Sequence, residues 1–151
     1  MARLGTVELN DAALEALRNA GFRTTWGRLD GCRSWSVHRF EKDGKESWFL
    51  IQARHNQPDT DRYLVGLIVD AMDRVDNVAL FFEGEKLLIL PSSFLCEIHN
   101  RHKALGNASY TGLRDRQWRV DFFLSAGELS LQGSKGQRYD FAAHATSISI
   151  L

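Results

Sequence analysis

Ser47-Trp48-Phe49-Leu50-Ile51-Gln52-Ala53-Arg54 is the stretch on which the fold of this chain turns. Its apolar residues run without a break from Trp48 to Ile51, the pattern of a central strand covered on both faces. The stretch before it, Ser34 to Phe40, alternates instead. Trp35, Val37 and Arg39 fall on one face, and Ser36, His38 and Phe40 on the other. Between the two lies Glu41-Lys42-Asp43-Gly44-Lys45-Glu46, a polar turn whose Asp-Gly pair is a strong hairpin signal. The pair reads as an antiparallel hairpin whose second strand is central.

Upstream, Leu9, Ala13, Leu17 and Ala20 recur at helical spacing, so Glu8 to Ala20 reads as an amphipathic helix. Asn10 is the expected cap and Gly21 the stop. Downstream, Thr60 is placed to cap a helix from Asp61 to about Asp73, with Tyr63, Leu64, Leu67, Ile68, Ala71 and Met72 as its apolar stripe. Val78 to Phe82 reads as a buried strand, and Glu83-Gly84-Glu85-Lys86 turns it into Leu87 to Leu90. Pro91 ends that strand, and Ser92 or Ser93 caps a helix through roughly Arg101. Gln117 to Leu124 and Glu128 to Gln132 form a hairpin around Ala126-Gly127, and Tyr139 to Phe141 adds a short last strand. The order α-β-β-α-β-β-α-β-β predicts one α/β (α+β) domain over residues 1–151. Its core is a central mixed β-sheet flanked by helices, with the crossover helix leading to a parallel strand.

The chain has 151 residues, 44% hydrophobic and 25% charged, the composition of one ordinary globular domain. Its apolar runs are far shorter than the roughly 20 residues a membrane span needs. Met1-Ala2-Arg3-Leu4 lacks the apolar core of a secretion signal, so a cytoplasmic protein is expected, without a membrane partner. Cys32 and Cys96 are the only cysteines. A reducing compartment and a domain of this size give no reason to pair them.

The formal net charge is zero, which argues against a purely electrostatic DNA binder. The charge is unevenly spread, however. Between residues 99 and 119, Arg101, Lys103, Arg114, Arg116 and Arg119 are opposed only by Asp115. Such a local basic surface contacts phosphates even on a neutral chain, and it equally suits a solvated loop. Trp26, Tyr110 and Trp118 lie near loops and are candidates to stack an unpaired base. Trp35 and Trp48 fit core packing better. Cys96, His99 and His102, spaced i, i+3, i+6, are too few for a closed zinc site. The simpler expectation puts Cys96 in the core and the histidines at the surface.

The hairpin that ends in Gln52-Ala53-Arg54, preceded by a helix and followed by a crossover to another strand, resembles the PD-(D/E)XK, or restriction-endonuclease-like, nuclease family. More narrowly it is similar to the intron-encoded homing-endonuclease branch, where Gln-x-Lys replaces acid-x-Lys. The resemblance covers roughly residues 8–95. It implies that Gln52 and Arg54 stand at the catalytic triplet and that Glu8 or Glu15 supplies the helical carboxylate. In such a site carboxylates hold Mg2+, and the cation with lysine polarises the attacking water. Two residues depart from the pattern. Ser36 stands approximately where the first-strand acid belongs, and Arg54 replaces the lysine with a guanidinium that stays protonated. Asp30, Glu41 and Glu46 are the carboxylates nearest in sequence that could stand in. The expectation is a nucleic-acid-binding domain, with DNA as partner and an incomplete or absent catalytic centre. The alternatives are an active Mg2+-dependent endonuclease and an assembly domain of a defence or mobile-element system, including a homo-oligomer.

Overall fold

The computed structural model describes residues 5–25, 29, 36–112, 116–131 and 137–150. Helix α1 (Thr6–Asn19) leads into the short strand β1 (Arg23–Thr25), and then β2 (Val37–Lys42) and β3 (Lys45–Arg54) form the expected hairpin. Asp43 and Gly44 both take positive φ, 54° and 79°, as a tight hairpin turn of primed type requires. The α1 cap is Gly5 rather than Asn10, which lies inside the helix.

The predicted helix from Asp61 to Asp73 is instead a strand, β4 (Arg62–Ile68), followed by a single helical turn, α2 (Val69–Met72). The apolar residues of this stretch satisfy both periods. Tyr63, Val65 and Leu67 are fully buried, whereas Arg62 and Leu64 are exposed. That alternation is stabilised by a partner strand lying far away in sequence, and such tertiary pairing overrides a local helical stripe. Thr60 does cap locally, accepting a bond from the Arg62 amide at 3.1 Å.

Strand β5 (Asn77–Phe82) pairs parallel with β3, so the expected crossover is present although its helix is not. Then follow β6 (Lys86–Pro91), α3 (Ser92–Ala104), β7 (Tyr110–Thr111), β8 (Gln117–Phe123), β9 (Glu128–Leu131), β10 (Tyr139–Asp140) and β11 (Thr146–Ser149). The residue before α3 is Pro91. The Ser92 hydroxyl donates to the Val75 carbonyl instead of capping the helix.

The strands form two sheets, not one. The first is mixed, ordered β1-β2-β3-β5-β6-β11, and the second is antiparallel, ordered β10-β9-β8-β4, with β7 also on β8. Leu9, Ala13 and Leu17 of α1 pack on Phe40, Phe49, Ile51, Ala79 and Phe81, on one face of the first sheet. The other face, with Leu50, Val78 and Leu80, packs against the second sheet and α3 through Val65, Leu67, Trp118 and Ile98. The molecule is therefore a mixed α/β fold whose mixed sheet separates two apolar cores. The unbroken apolar run of β3 follows from that two-sided burial.

Candidate functional site

Along β3 the side chains alternate, and this sets what Gln52 and Arg54 can meet. Phe49, Ile51 and Ala53 face α1, whereas Trp48 and Leu50 face the second sheet. Gln52 and Arg54 share the latter face. Gln52 Nε2 donates to the Gly66 carbonyl at 2.5 Å, and Arg54 Nε donates to the Leu64 carbonyl at 3.2 Å. Arg54 also binds its neighbour, with Nη1 2.8 Å from the Ala53 carbonyl.

The acceptors explain the arrangement. Strand β4 pairs with β8 along one edge only. The Asp61 carbonyl and the Val69 amide bond towards the β8 side, so residues of even number turn their main-chain groups to the open edge. Gln52 and Arg54 satisfy two of those carbonyls. They fasten the edge of one sheet to the centre of the other. Burial pulls the Arg54 guanidinium below its ordinary pKa.

The remaining residues of the expected nuclease centre do not join them. Glu8 and Glu15 are exposed on α1, across the sheet, and Glu15 pairs with Arg18 at 3.3 Å. Glu41 pairs with Arg23, and Glu46 lies 3.8 Å from Arg39, both at the turn end of the hairpin. From Glu46 to Gln52 the strand rise alone spans about 20 Å. Ser36 is buried beside the start of β2, its carbonyl accepting from the Ile51 amide. Asp30 lies outside the described residues. Among the described residues no three Asp, Glu, His or Cys side chains converge to hold a cation. A donating amide and a half-buried guanidinium do not fit Mg2+, which takes several oxygen ligands.

The basic and aromatic residues gather more closely, around the carboxyl half of α3. His99 and His102, each 2% exposed, point inward rather than lying at the surface. His99 Nε2 is 2.8 Å from the Tyr110 hydroxyl, and its ring lies 5.1 Å from Trp118. His102 Nδ1 is 2.8 Å from Asn107 Oδ1, and Nε2 is 2.6 Å from the Tyr139 hydroxyl. With Asn107 Oδ1 as acceptor, His102 Nδ1 is the donor of that bond. Burial lowers the His99 pKa, with Lys103 and Arg116 pushing the same way and Asp73 opposing.

Over this buried layer stand cations. The Arg116 guanidinium lies 3.8 Å from the Tyr110 ring centre. Arg101 is 5.9 Å from the Tyr139 ring and 3.7 Å from Glu97. Lys103 is exposed in the last helical turn, where positive charge also complements the helix dipole. Arg119 stands apart. Its neighbours Trp118 and Val120 face the core, so its own side chain is on the outer face of the second sheet. Trp118 itself is fully buried, which corrects its expected role as a stacking platform. Arg114 and Trp26 lie outside the described residues.

Cys96 does not complete a metal centre with the histidines. Its thiol donates towards the Met72 carbonyl and the Asp73 carboxylate, and burial with that carboxylate pushes it up to about 12. It remains a thiol rather than the thiolate that zinc requires. The i, i+3, i+6 spacing placed Cys96, His99 and His102 only loosely on one helical face. What it could not give was Tyr110 and Tyr139 as partners of the histidines, because those strands meet α3 only in the folded chain.

No protein-family model matches the chain, and neither a curated protein nor a solved structure matches it significantly. No helix among the described residues is long and apolar enough to cross a membrane.

Proposed function

We propose that the chain is a cytoplasmic nucleic-acid-binding domain on a restriction-endonuclease-like core, in which Gln52 and Arg54 have a structural rather than a catalytic task. The observation that carries this reading is the gathering of Arg101, Lys103 and Arg116 with Tyr110 and Tyr139 at one end of α3. Cations positioned over half-buried rings suit a phosphate backbone with unpaired bases beside it. The sequence of helix, hairpin, crossover and parallel strand supports kinship with the nuclease family, although β4 replaces its crossover helix. DNA is the partner by that kinship. The free thiol of Cys96 suits a reducing compartment.

Assembly through α3 is not favoured. Among the described residues the large exposed hydrophobic ones are Val7, Leu64 and Leu105, and none falls within residues 92–101.

Fluorescence anisotropy with labelled single- and double-stranded DNA, at low and moderate salt, tests the proposal. Binding is expected to weaken as salt rises, with the single strand held more tightly. Replacing Arg101, Lys103 and Arg116 together by alanine is expected to flatten the logarithmic salt dependence by roughly 0.7–0.9 for each phosphate that is no longer neutralised. Absence of salt-sensitive binding to either strand form overturns the reading.

A further inference from the structure

A sheet edge exposes a row of unpaired main-chain groups, and proteins generally guard such edges against pairing with another chain. Among the described residues the sheets have five edge strands, β1, β4, β7, β10 and β11, and four of them are guarded; β7 is only two residues long, with the Arg116 guanidinium over Tyr110. Strand β1 is three residues long and carries Arg23, ion-paired with Glu41. Two outward carbonyls of β4, those of Gly66 and Leu64, are taken by Gln52 and Arg54, and the strand begins on the exposed charge of Arg62. Strand β10 is two residues long, is preceded by Arg138, paired with Glu128, and ends in Asp140, whose carboxylate accepts from the Ala142 amide. Strand β11 has none of these devices. Residues 141–150, Phe-Ala-Ala-His-Ala-Thr-Ser-Ile-Ser-Ile, contain no Lys, Arg, Asp, Glu or Pro.

The direction of its free groups is fixed. The Ile150 amide donates to the Glu85 carbonyl at 3.2 Å, on the side of β6. Alternation along an antiparallel ladder then turns Thr146, Ile148 and Ile150 towards β6, and turns the main-chain groups of Ser147 and Ser149 outward. Among the described residues, nothing pairs with them.

We infer that this edge pairs with a second copy of the same chain, antiparallel about a two-fold axis at Ile148, joining two mixed sheets into one. The occupant is a second copy because the strand complements itself. In that register Ser147 faces Ser149 of the other copy, and each such pair exchanges both its main-chain bonds. Ile148 meets its own counterpart on the face where Ile148 and Ile150 already pack with the α1 core, extending an apolar surface across the junction. No like charges oppose each other along the strand, and zero net charge leaves two copies free to approach. A symmetric contact of this kind closes at a dimer rather than propagating. This inference is independent of nucleic-acid binding.

Sedimentation equilibrium of the full chain over a range of concentrations tests it, with the dimer expected to dissociate to 17.1 kDa on dilution. Ser147→Pro and Ser149→Pro remove outward amides while leaving the bonds to β6, and edge strands tolerate proline at such positions. Both variants are expected to be monomers with an unchanged circular dichroism spectrum. Amide exchange in the unmodified chain supplies a second readout, since Ser147 and Ser149 should gain protection as concentration rises. A monomer at all concentrations overturns the inference. So does a dimer that persists in folded proline variants, or a dimer in which the two serine amides exchange freely.

Discussion

His99 is the residue whose environment departs furthest from what its position in the sequence suggests. A surface histidine on a basic helix end would titrate near its usual pKa of about 6.5. Here it is buried against Trp118 and bonded to Tyr110, and burial lowers its pKa. The unfolded chain therefore takes up the proton first as pH falls. Stability from this residue is fully present above about pH 6.5 and declines below it, until the lower folded pKa is passed. Urea midpoints at pH 5 and pH 7.5 are expected to differ in that direction. His99→Gln, which keeps a hydrogen-bonding side chain, should remove part of the difference, and an unchanged pH dependence in that variant would count against the assignment. In the sequence, spacing placed His99 and His102 only loosely on one helical face. It did not reveal their burial, because Tyr110, Trp118 and Tyr139 arrive from strands that one-dimensional periodicity does not connect to the helix.

Elements with strong local signals were legible, and elements that depend on distant partners were not. The β2–β3 hairpin follows from its alternation and from Asp43-Gly44, both of which act within a few residues. The parallel return to β5 follows from the buried run Val78 to Phe82. Strand β4 was missed because Tyr63, Leu64, Leu67 and Ile68 also fit a helical stripe, and only β8 decides between the two. Strands β1, β7 and β11 are too short to carry a period of their own. The candidate centre suffered the same way. Gln52-Ala53-Arg54 was correctly located at the end of a central strand, but its partners are carbonyls of β4, a strand the sequence had concealed. If their task is to fasten the sheets, Arg54→Ala should cost about 1 kcal/mol, the net worth of the bonds it donates to the Leu64 and Ala53 carbonyls. Gln52→Leu should behave similarly. Both changes should leave DNA binding per folded molecule unaltered. Chemical denaturation followed by anisotropy on the same samples separates that outcome from a role in the binding site.

At the scale of the whole molecule, the mixed sheet is a shared wall. One core lies between it and α1, and the other lies between it and the second sheet with α3. The larger core joins both sheets and α3, whereas the smaller depends on a single helix whose N-cap, Gly5, supplies no side-chain hydrogen bond. Two cores on opposite sides of one layer need not be lost together. Native-state hydrogen exchange is expected to show α1 amides opening at a lower free energy than those of β3, β5 and β8. Equal opening energies throughout would instead mark one cooperative unit. The consequence is a second, sparsely populated form of the protein, in which the helix has detached and Phe40, Phe49 and Phe81 meet solvent. That form keeps the α3 surface intact while baring a new aromatic one, so the chain carries a latent sticky face whose exposure is set by how firmly fourteen residues of helix adhere.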